Sequence, residues 1–263
     1  MEIKNAIIAI TGAASGIGQA AALELAALGA RVVLGDVNIE ALQIVQNKIL
    51  EAGGTVEIHP LDVTNEVSVQ SFMDAAINHF GQIDAVIASA GIIRDSYLVT
   101  PDKTTGKVKK FMQIEQWKQV IDVNLTGVFL TIREAAIRMV NQGNKGVLIP
   151  ISSINKSGEL GQLNYASTKA AIALWPKIIA GEFHARNINN IRIASIAPGY
   201  VATPLLLDIK PEILAGIIKD IPTGRLVNTS EIVSTIEFIL KNESVHGTTL
   251  EISGGIISKG LAK

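Results

Sequence analysis

Residues 5–18, NAIIAITGAASGIG, decide the fold that we predict for this chain. The apolar run 5–11 is typical of a buried β-strand, and an alanine-rich stretch typical of a helix follows the glycines. Gly12 can form the tight turn, Gly16 lets the backbone approach a phosphate, and Gly18 permits close packing of the helix on the strand. The helix N-terminus then favours an anion. An ordinary strand-to-helix turn stays open as the alternative, because the spacing is one residue longer than GxGxxG.

The same alternation of strand and helix continues along the chain. The predicted strands lie at 5–11, 31–36, 55–59, 83–88, 146–151, 191–196 and 248–252. The predicted helices lie at 19–29, 38–52, 65–80, 115–142, 164–185 and 229–240. Seven strands separated by helices predict an α/β fold with a doubly wound, seven-stranded parallel sheet flanked by helices. With 263 residues, we expect a single domain that spans 1–263.

Ligands of such sheets bind outside the carboxyl ends of the strands. Small, turn-forming or polar residues stand at these ends and predict one extended crevice: Gly12, Asp36, Asp62, Val63, Ser89, Ala90, Gly91, Ser152, Ser153, Pro198 and Gly199.

Asp36 lies at the end of the second strand and bears on the choice of cofactor. A carboxylate there can accept hydrogen bonds from ribose hydroxyls and would repel a 2′-phosphate, so we expect NAD. Asp36 also precedes a predicted helix, which leaves a capping role open. Asp62 can face an adenine amino group, or it can cap the helix that begins near Asn65.

Tyr165 and Lys169 are four residues apart on a predicted helix, so their side chains share one face. A tyrosine titrates near pH 10, and bringing it toward neutrality needs roughly 4 kcal/mol of preferential stabilisation of the phenolate. A lysine ammonium one turn away supplies an opposing charge, and a strand-end serine can orient a substrate oxygen. The pair therefore predicts proton transfer, although Tyr-x-x-x-Lys also occurs by chance on amphipathic helices.

Composition excludes several function classes. With 23 basic and 24 acidic residues, the chain has no basic field for nucleic acid. It has no cysteine, which excludes disulfides and thiolate metal sites and is compatible with a cytoplasmic location. The four histidines show no ligand spacing, so we expect no metal. No run is long enough to cross a bilayer, and the first apolar run is a strand, not a signal peptide. We expect a soluble, cytoplasmic protein with no membrane partner.

Several separated motifs together resemble the short-chain dehydrogenase/reductase family from Ile7 to about Gly255. They are TGAASGIG, Asp36, Asp62-Val63, SAG at 89–91, Asn124 in VNLTG, ISS at 151–153, YASTK at 165–169 and PGYVATP at 198–204. Within the family, the chain looks most like the 3-oxoacyl-thioester reductases and the 3-hydroxyacyl or secondary-alcohol dehydrogenases. The resemblance implies a Rossmann-type domain, a small alcohol or ketone as substrate, and a homo-oligomer, either a tetramer or a dimer.

The resemblance also implies roles for individual residues. Tyr165 would be the general acid/base, and Lys169 would bind the nicotinamide ribose and lower the tyrosine pKa. Asn124 would link a water to Lys169, unless its amide instead bonds an orphan backbone group. Thr203 would bind the nicotinamide carboxamide, with an N-cap before Pro204 as the alternative. The full cofactor set that the resemblance implies is Gly12, Ser15, Gly16, Ile17, Gly18, Asp36, Asp62, Val63, Ala90, Gly91, Tyr165, Lys169, Pro198, Gly199, Val201 and Thr203.

The catalytic serine has two candidates. The usual spacing of thirteen residues before the tyrosine selects Ser152, whereas the usual place in the motif, the second serine of ISS, selects Ser153. We expect Ser153, because a deletion in the loop 154–161 is absorbed more easily than a register slip in a buried strand.

Other departures from the family pattern concern structure. Ala88-Ser89 stands where an Asn pair is common, so one structural hydrogen bond is expected to be replaced. Pro176 should kink the helix that carries Tyr165, or end its regular part about three turns beyond it.

Two segments are expected to border the substrate. Residues 92–116 are long for the family, and turn residues predict a hairpin near 98–112 whose lysines meet an acidic or phosphate-bearing tail or form a solvated edge. Residues near 203–224 are apolar, which suits a substrate lid, a plain core helix or a subunit contact.

The leading prediction is an NAD(H)-dependent oxidoreductase that moves hydride between nicotinamide and a secondary alcohol or its ketone, including 3-hydroxyacyl compounds. One alternative is an NADPH-dependent 3-oxoacyl carrier-protein reductase. Another is a cofactor-binding regulator without catalysis, because a fold alone does not establish an activity.

Overall fold

The computed structural model describes residues 1–256. Residues 257–263, the end of the predicted domain 1–263, lie outside the described part. The strands are β1 (Ile7–Thr11), β2 (Arg31–Asp36), β3 (Thr55–Pro60), β4 (Ala85–Ala88), β5 (Val99–Pro101), β6 (Val108–Phe111), β7 (Gly146–Pro150), β8 (Ile191–Pro198) and β9 (Thr248–Ile252). The α-helices are α1 (Gly16–Ala27), α2 (Ile39–Glu51), α3 (Glu66–Phe80), α4 (Ile114–Ile121), α5 (Val128–Gln142), α6 (Leu163–Ala185), α7 (Pro204–Leu207), α8 (Pro211–Lys219) and α9 (Thr229–Lys241).

Seven strands form one parallel sheet in the order β3-β2-β1-β4-β7-β8-β9, which confirms the predicted fold class. The chain builds the sheet outward from β1 to β3 and then returns to β4 on the other side of β1. This reversal opens a crevice at the carboxyl ends of β1 and β4, where ligands of such sheets bind.

Alternate residues of the central strands pack on opposite helix layers. In β1, Ile8 and Ile10 join the core under α1, α2 and α9, whereas Ile7 and Ala9 join the core under α3, α5 and α6. All of β1, β4 and β7 is buried, because helices cover both faces of the sheet. Each buried Ile or Leu contributes roughly 1.5–3 kcal/mol, so these apolar strands fix the scaffold on which the site rests.

The predicted helix 115–142 is not one regular α-helix. A π-helical turn, Asp122–Gly127, separates α4 from α5, and Asn124 lies within it. Gly127 packs so closely on Val63 that an added Cβ would lie 2.7 Å from Val63 Cγ2. Such π turns insert a residue into a helix and frequently occur at functional sites. Apolar periodicity does not reveal the turn because it continues on both sides.

Pro176 does not end α6, which continues nine residues beyond it to Ala185. The neighbouring strand β9 supports this part of the helix, since the Thr249 hydroxyl donates to the carbonyl of Ala173 at 2.7 Å. The proline costs the helix one backbone donor. Packing of α6 on the sheet, with Ile172 fully buried, holds the helix together through this point.

Strands β5 and β6 form a separate antiparallel pair within residues 99–111. The Asp102 carboxylate closes the turn between them by accepting from the backbone N–H groups of Thr104 and Thr105 at 2.9 and 3.0 Å. The segment before the pair is fastened to the body of the protein, because the Ser96 N–H donates to the Gly161 carbonyl at 2.8 Å. The β5–β6 pair therefore follows a segment that is joined to the loop that leads into α6.

Helices α7 and α8 lie between β8 and α9 and stand apart from the core. None of the residues of α8 is buried, and Ile213 is 56% exposed. Of the three alternatives considered for this segment, a plain core helix is therefore wrong.

Candidate active site

The glycine turn after β1 packs directly on the end of β4. Gly12 has φ +67°, and a Cβ there would lie 2.7 Å from Ala90 Cα. A Cβ on Gly18 would collide with the carbonyl of Gly12. Side chains at these two positions would therefore push the turn away from the end of β4 and from the start of α1. The tight turn and the close strand-to-helix packing are those of a pyrophosphate-binding loop, so the loop fits a dinucleotide.

Hydrogen bonds from the end of β4 hold the glycine turn in place. The Ser89 hydroxyl donates to the Thr11 carbonyl at 2.6 Å, and the Ala90 N–H donates to the Thr11 hydroxyl at 3.3 Å. Ser89 occupies the position where an Asn pair is common in the family, and its hydroxyl makes a structural hydrogen bond there.

The N-terminus of α1 faces the same crevice. Ser15 is the N-cap residue, yet its exposed hydroxyl makes no capping hydrogen bond and stays available to a ligand. Gly16 lies under Thr203, since a Cβ added to Gly16 would be 3.4 Å from Thr203 Cγ2. Ile17 follows as a half-buried residue. Free N–H groups and the helix dipole at this point favour a phosphate.

Asp36 bridges the end of β2 and the glycine loop. One carboxylate oxygen accepts from the Ala14 N–H at 3.1 Å and the other from the Asn38 N–H at 3.0 Å. The cap of α2 is Asn38, whose side chain accepts from the Ala41 N–H. Asp36 therefore does not cap the helix, and its negative charge lies beside the glycine loop.

Asp62 and Val63 lie at the end of β3. Asp62 accepts from both the N–H and the hydroxyl of Thr64, at 2.9 and 2.7 Å, and Asn65 caps the following helix α3. The capping role considered for Asp62 is therefore filled by Asn65. Val63 is buried against Gly127 and forms part of the wall beside the π turn.

Asn124 is fully buried and uses both ends of its amide on one residue. Its Nδ2 donates to the Ile92 carbonyl and its Oδ1 accepts from the Ile92 N–H, each at 2.8 Å. The side chain therefore bonds an otherwise unpaired backbone segment, and the water link to Lys169 stays a prediction. A Cβ on Gly91 would lie 3.4 Å from Asn124 Oδ1 and 3.8 Å from Lys169 Nζ, so Asn124 and Lys169 border the same floor of the crevice.

Tyr165 and Lys169 share one face of α6. Lys169 is 5% exposed, its ammonium lies 5.4 Å from the centre of the Tyr165 ring, and it donates to the Ile151 carbonyl at 2.9 Å. That bond uses one of three ammonium donors, which leaves two for groups bound in the crevice.

The two adjacent serines face different partners. The buried Ser152 hydroxyl donates to the backbone carbonyl of Lys169 at 2.7 Å, which ties β7 to α6. Ser153 instead hydrogen-bonds the side chain of Tyr165 and accepts from the Asn155 N–H at 3.1 Å. Ser153 is thus the serine beside the phenol.

Burial opposes charge on both members of the Tyr-Lys pair. Burial raises the pKa of Tyr165, the hydrogen bond from Ser153 lowers it, and the negative charge of Asp95 raises it. Burial also lowers the pKa of Lys169 to about 8. Positive charge that enters the crevice, such as that of an oxidised nicotinamide, would favour the phenolate.

Sequence reasoning missed four polar residues around the pair. Asp95, Asn155 and Gln162 form a hydrogen-bonded chain that ends at Ser153. Asn164 is fully buried, and it donates to the Arg94 carbonyl at 3.0 Å and accepts from the Tyr165 N–H at 2.8 Å. An amide directly before the tyrosine, at the start of an otherwise apolar helix, was the available signal.

The segment after β8 closes the crevice on the other side. The Gly199 N–H donates to the Ile252 carbonyl at 2.8 Å, and its Cα packs against Ser253, so Pro198 and Gly199 are held at the sheet edge. Val201 is buried and bridges to Val227. Thr203 is the N-cap residue of α7 but makes no side-chain capping bond, which leaves its hydroxyl for a ligand.

Residues 1–256 contain no group of three or more acidic or histidine side chains that could hold a metal ion. Within this part of the chain, no helix has both the length and the apolar character needed to cross a membrane.

Comparisons with known proteins agree with this geometry. Residues 6–213 match the family model described as short chain dehydrogenase. The chain is 32% identical over 259 residues to the 3-oxoacyl-(acyl-carrier-protein) reductase FabG of Thermotoga maritima, covering 98% of this chain and all of the relative. It is 33% identical over 248 residues to the 2,5-dichloro-2,5-cyclohexadiene-1,4-diol dehydrogenase LinX of Sphingobium indicum, covering 94% of each.

Among solved structures, a short-chain type dehydrogenase/reductase from Mycobacterium marinum superposes with a TM-score of 0.85 and 29% identity, covering 98% of this chain and 97% of the other. The chain belongs to the short-chain dehydrogenase family and is an oxidoreductase that acts on a CH–OH group of a small molecule with a nicotinamide cofactor.

Proposed function

We propose that this protein is an NAD-linked dehydrogenase of an uncharged secondary alcohol, and that it also reduces the matching ketone. One observation carries the proposal: the Lys169 ammonium is buried beneath Tyr165 while Ser153 hydrogen-bonds the phenol. This arrangement provides one group that exchanges a proton, one that stabilises its anion and one that orients the substrate oxygen.

The proton is handled by the chain's own residues. In oxidation, the Tyr165 phenolate takes the proton of the substrate hydroxyl while the Ser153 hydroxyl holds the same oxygen. Lys169 stabilises the phenolate, and in reduction Tyr165 returns its proton to the developing alkoxide. When bound, the nicotinamide supplies or accepts the hydride at the carbon that bears the oxygen. The alcohol thus loses a hydride and a proton and becomes a ketone.

NAD is proposed over NADP because of charge at the end of β2. The Asp36 carboxylate lies against the glycine loop, through its bond to the Ala14 N–H, where it would meet a 2′-phosphate. The two loop residues nearest to it, Ala13 and Ala14, are apolar and buried and supply no cation to offset that repulsion. The glycine loop, the N-terminus of α1, Lys169 and Thr203 are the groups proposed to hold the rest of the cofactor.

An uncharged substrate is proposed from the charges that act on Tyr200. Burial is the largest cause that raises the pKa of this half-buried residue, and the negative charges of Glu159, Asp220 and Asp95 raise it further. The relative LinX is named for a ring diol. We therefore propose cyclic secondary alcohols as the first class to test. Residues 203–224 are proposed to act as the lid over such a substrate.

A second candidate is a 3-oxoacyl carrier-protein reductase with NADPH. It is favoured by the FabG relatives, which match the chain over nearly its whole length. This activity requires a 2′-phosphate to bind beside the Asp36 carboxylate, and it requires the thioester tail of the substrate to bind at the rim of the crevice.

The test is a turnover assay that follows the absorbance of reduced nicotinamide. Purified protein is offered NAD⁺ or NADP⁺ with neutral cyclic alcohols, linear secondary alcohols and 3-hydroxyacyl thioesters. The proposal expects a neutral alcohol with NAD⁺ to give the highest kcat/KM. A thioester with NADP⁺ as the best pair would replace it by the second candidate. Tight cofactor binding with no turnover of any alcohol would favour a regulator.

A further inference from the structure

A continuous chain of hydrogen bonds leads from the rim of the crevice to the catalytic serine. The Gln162 amide donates to an Asp95 carboxylate oxygen at 2.9 Å and accepts from the Asn155 amide at 2.9 Å. The backbone N–H of Asn155 donates to the Ser153 hydroxyl at 3.1 Å, and Ser153 in turn bonds the phenol of Tyr165.

Backbone contacts anchor the Asp95 end of this chain. The Ser96 N–H donates to the Gly161 carbonyl at 2.8 Å, so the segment that carries Asp95 is joined to the loop that carries Gln162. The buried Asn164 adds a bond to the Arg94 carbonyl at 3.0 Å. Gln162 directly precedes α6, three residues before Tyr165, so the network and the phenol are carried by the same helix start.

We propose that Asp95, Gln162 and Asn155 form a positioning network that holds Ser153 against Tyr165 and places a fixed negative charge beside the phenol. None of the three touches the reacting atoms in this scheme. They act through Ser153 and through the charge of Asp95, and the catalytic part of the inference rests on the proposed function.

The charges around Tyr165 have opposing effects. Lys169 on α6 lies 5.4 Å from the centre of the Tyr165 ring, whereas Asp95 lies on the segment after β4 and acts on Tyr165 through its charge. Tyr200 lies on the segment after β8. Burial raises the pKa of Tyr200, and the negative charges of Glu159, Asp220 and Asp95 raise it further. The Asp95 charge raises the pKa of Tyr165, after burial as the larger cause, and so favours the protonated phenol. Because Asp95 is exposed, salt screens its effect.

The network makes two predictions of opposite sign for the ionisation of Tyr165. Asp95→Asn keeps an acceptor for Gln162 but removes the charge, so Tyr165 should ionise at lower pH. Gln162→Leu breaks the chain and loosens Ser153, whose hydrogen bond lowers the pKa of Tyr165, so Tyr165 should ionise at higher pH. General damage to the fold would move both variants in the same direction.

The primary experiment needs no substrate. The chain has three tyrosines, and Asp95 and Glu159 also act on Tyr200. Subtracting from each protein the ultraviolet titration of the same protein with Tyr165→Phe added therefore isolates the Tyr165 phenolate. The matched control is Glu159→Gln, which removes a carboxylate that raises the pKa of Tyr200. We expect Asp95→Asn to lower the Tyr165 transition, Gln162→Leu to raise it and Glu159→Gln to leave it in place. An unchanged transition in Asp95→Asn, or an equal shift in Glu159→Gln, would overturn the inference.

A kinetic experiment tests the same network in the working enzyme. For alcohol oxidation, Asp95→Asn should move the acidic limb of the kcat/KM profile to lower pH, and added salt should shrink the difference from wild type. Gln162→Leu should lower kcat on the order of tenfold with little change in cofactor affinity, because a loosened Ser153 misplaces the substrate oxygen. A Gln162→Leu enzyme with full kcat would contradict the positioning role. Absence of turnover in the wild-type protein would reject the proposed function but leave the tyrosine titration decisive for the network.

Discussion

At the level of single residues, the adjacent serines Ser152 and Ser153 have different roles. Ser152 binds the Lys169 carbonyl inside the fold, whereas Ser153 bonds the phenol. We predict that Ser153→Ala lowers kcat by about 10²–10³-fold with little change in stability, since it removes a preorganised donor to the substrate oxygen. Ser152→Ala should instead lower the free energy of unfolding by roughly 1–3 kcal/mol, because a buried carbonyl loses its partner. Steady-state kinetics and urea unfolding of both variants measure the two effects, and the reverse assignment would exchange the results.

The prediction that the protein uses NAD and not NADP rests on Asp36. Asp36→Asn keeps an acceptor for backbone N–H groups but removes the repulsion of a 2′-phosphate. The ratio of kcat/KM for NAD⁺ over NADP⁺ should therefore fall by about tenfold or more, which corresponds to about 1.4 kcal/mol. Asp62→Asn is the matched control, since Asp62 is proposed to face the adenine, which both cofactors share, and should affect both alike. A ratio that stays constant in Asp36→Asn would refute its assigned role.

The site residues that could be predicted from the sequence are those that local spacing along the chain brings together. Tyr165 and Lys169 come together because a helix brings residues four apart to one face. The chain of Asp95, Asn155 and Gln162 could not be predicted, because it joins a segment after β4 to loops after β7. That contact is set by tertiary packing, which no local spacing records.

A network of ion pairs centred on the buried Glu134 joins helices α3 and α5. Glu134 is 4% exposed and lies 2.7 Å from each of Arg133 and Arg138, and these arginines reach Glu66 and Asp74 on α3. Burial alone would raise the pKa of Glu134, but hydrogen bonds from the two arginines outweigh it and hold the pKa below its usual value.

We predict that Glu134→Gln lowers the free energy of unfolding by about 3 kcal/mol, because two partly buried guanidinium groups lose their common partner. Asp74→Asn, at the exposed end of the network, should cost less than about 1 kcal/mol. Since the folded pKa of Glu134 is below the unfolded value of 4.5, its contribution is present above pH 4.5 and is lost as the pH falls through the folded pKa. The difference between wild type and Glu134→Gln in urea unfolding should therefore shrink in acid, and a constant difference would contradict this account.

At the level of elements, helices and strands were predictable and their interruptions were not. Apolar runs bounded by turn residues indicated all seven strands of the sheet. The π turn at Asp122–Gly127 was missed because apolar periodicity continues through it. Pro176 was expected to kink α6 or to end its regular part, and the helix does not end there but continues to Ala185 beside β9.

For the whole molecule, the parallel sheet follows from the alternation of strands and helices, but assembly depends on the surface. Helices α5 and α6 expose large apolar side chains: Phe129, Ile137, Val140, Leu163, Leu174 and Ile178. Exposed apolar clusters of this kind mark interaction surfaces. We predict a homodimer or homotetramer in light scattering. Leu174→Glu combined with Ile178→Glu should shift the protein toward monomer, whereas Ile44→Glu, an equally exposed site on α2, should not. A monomeric wild-type protein would reject the expectation.

The central claim is that Tyr165 transfers the proton. The most direct test compares wild type with Tyr165→Phe in two assays, calorimetric binding of NADH and turnover of the best alcohol from the substrate panel. The account predicts unchanged cofactor affinity and a kcat lower by on the order of a thousandfold, because the ring stays in place while its ionisable oxygen is lost. A Tyr165→Phe enzyme whose kcat stays within about twofold of wild type would contradict the account, because the proton would then be transferred by another group.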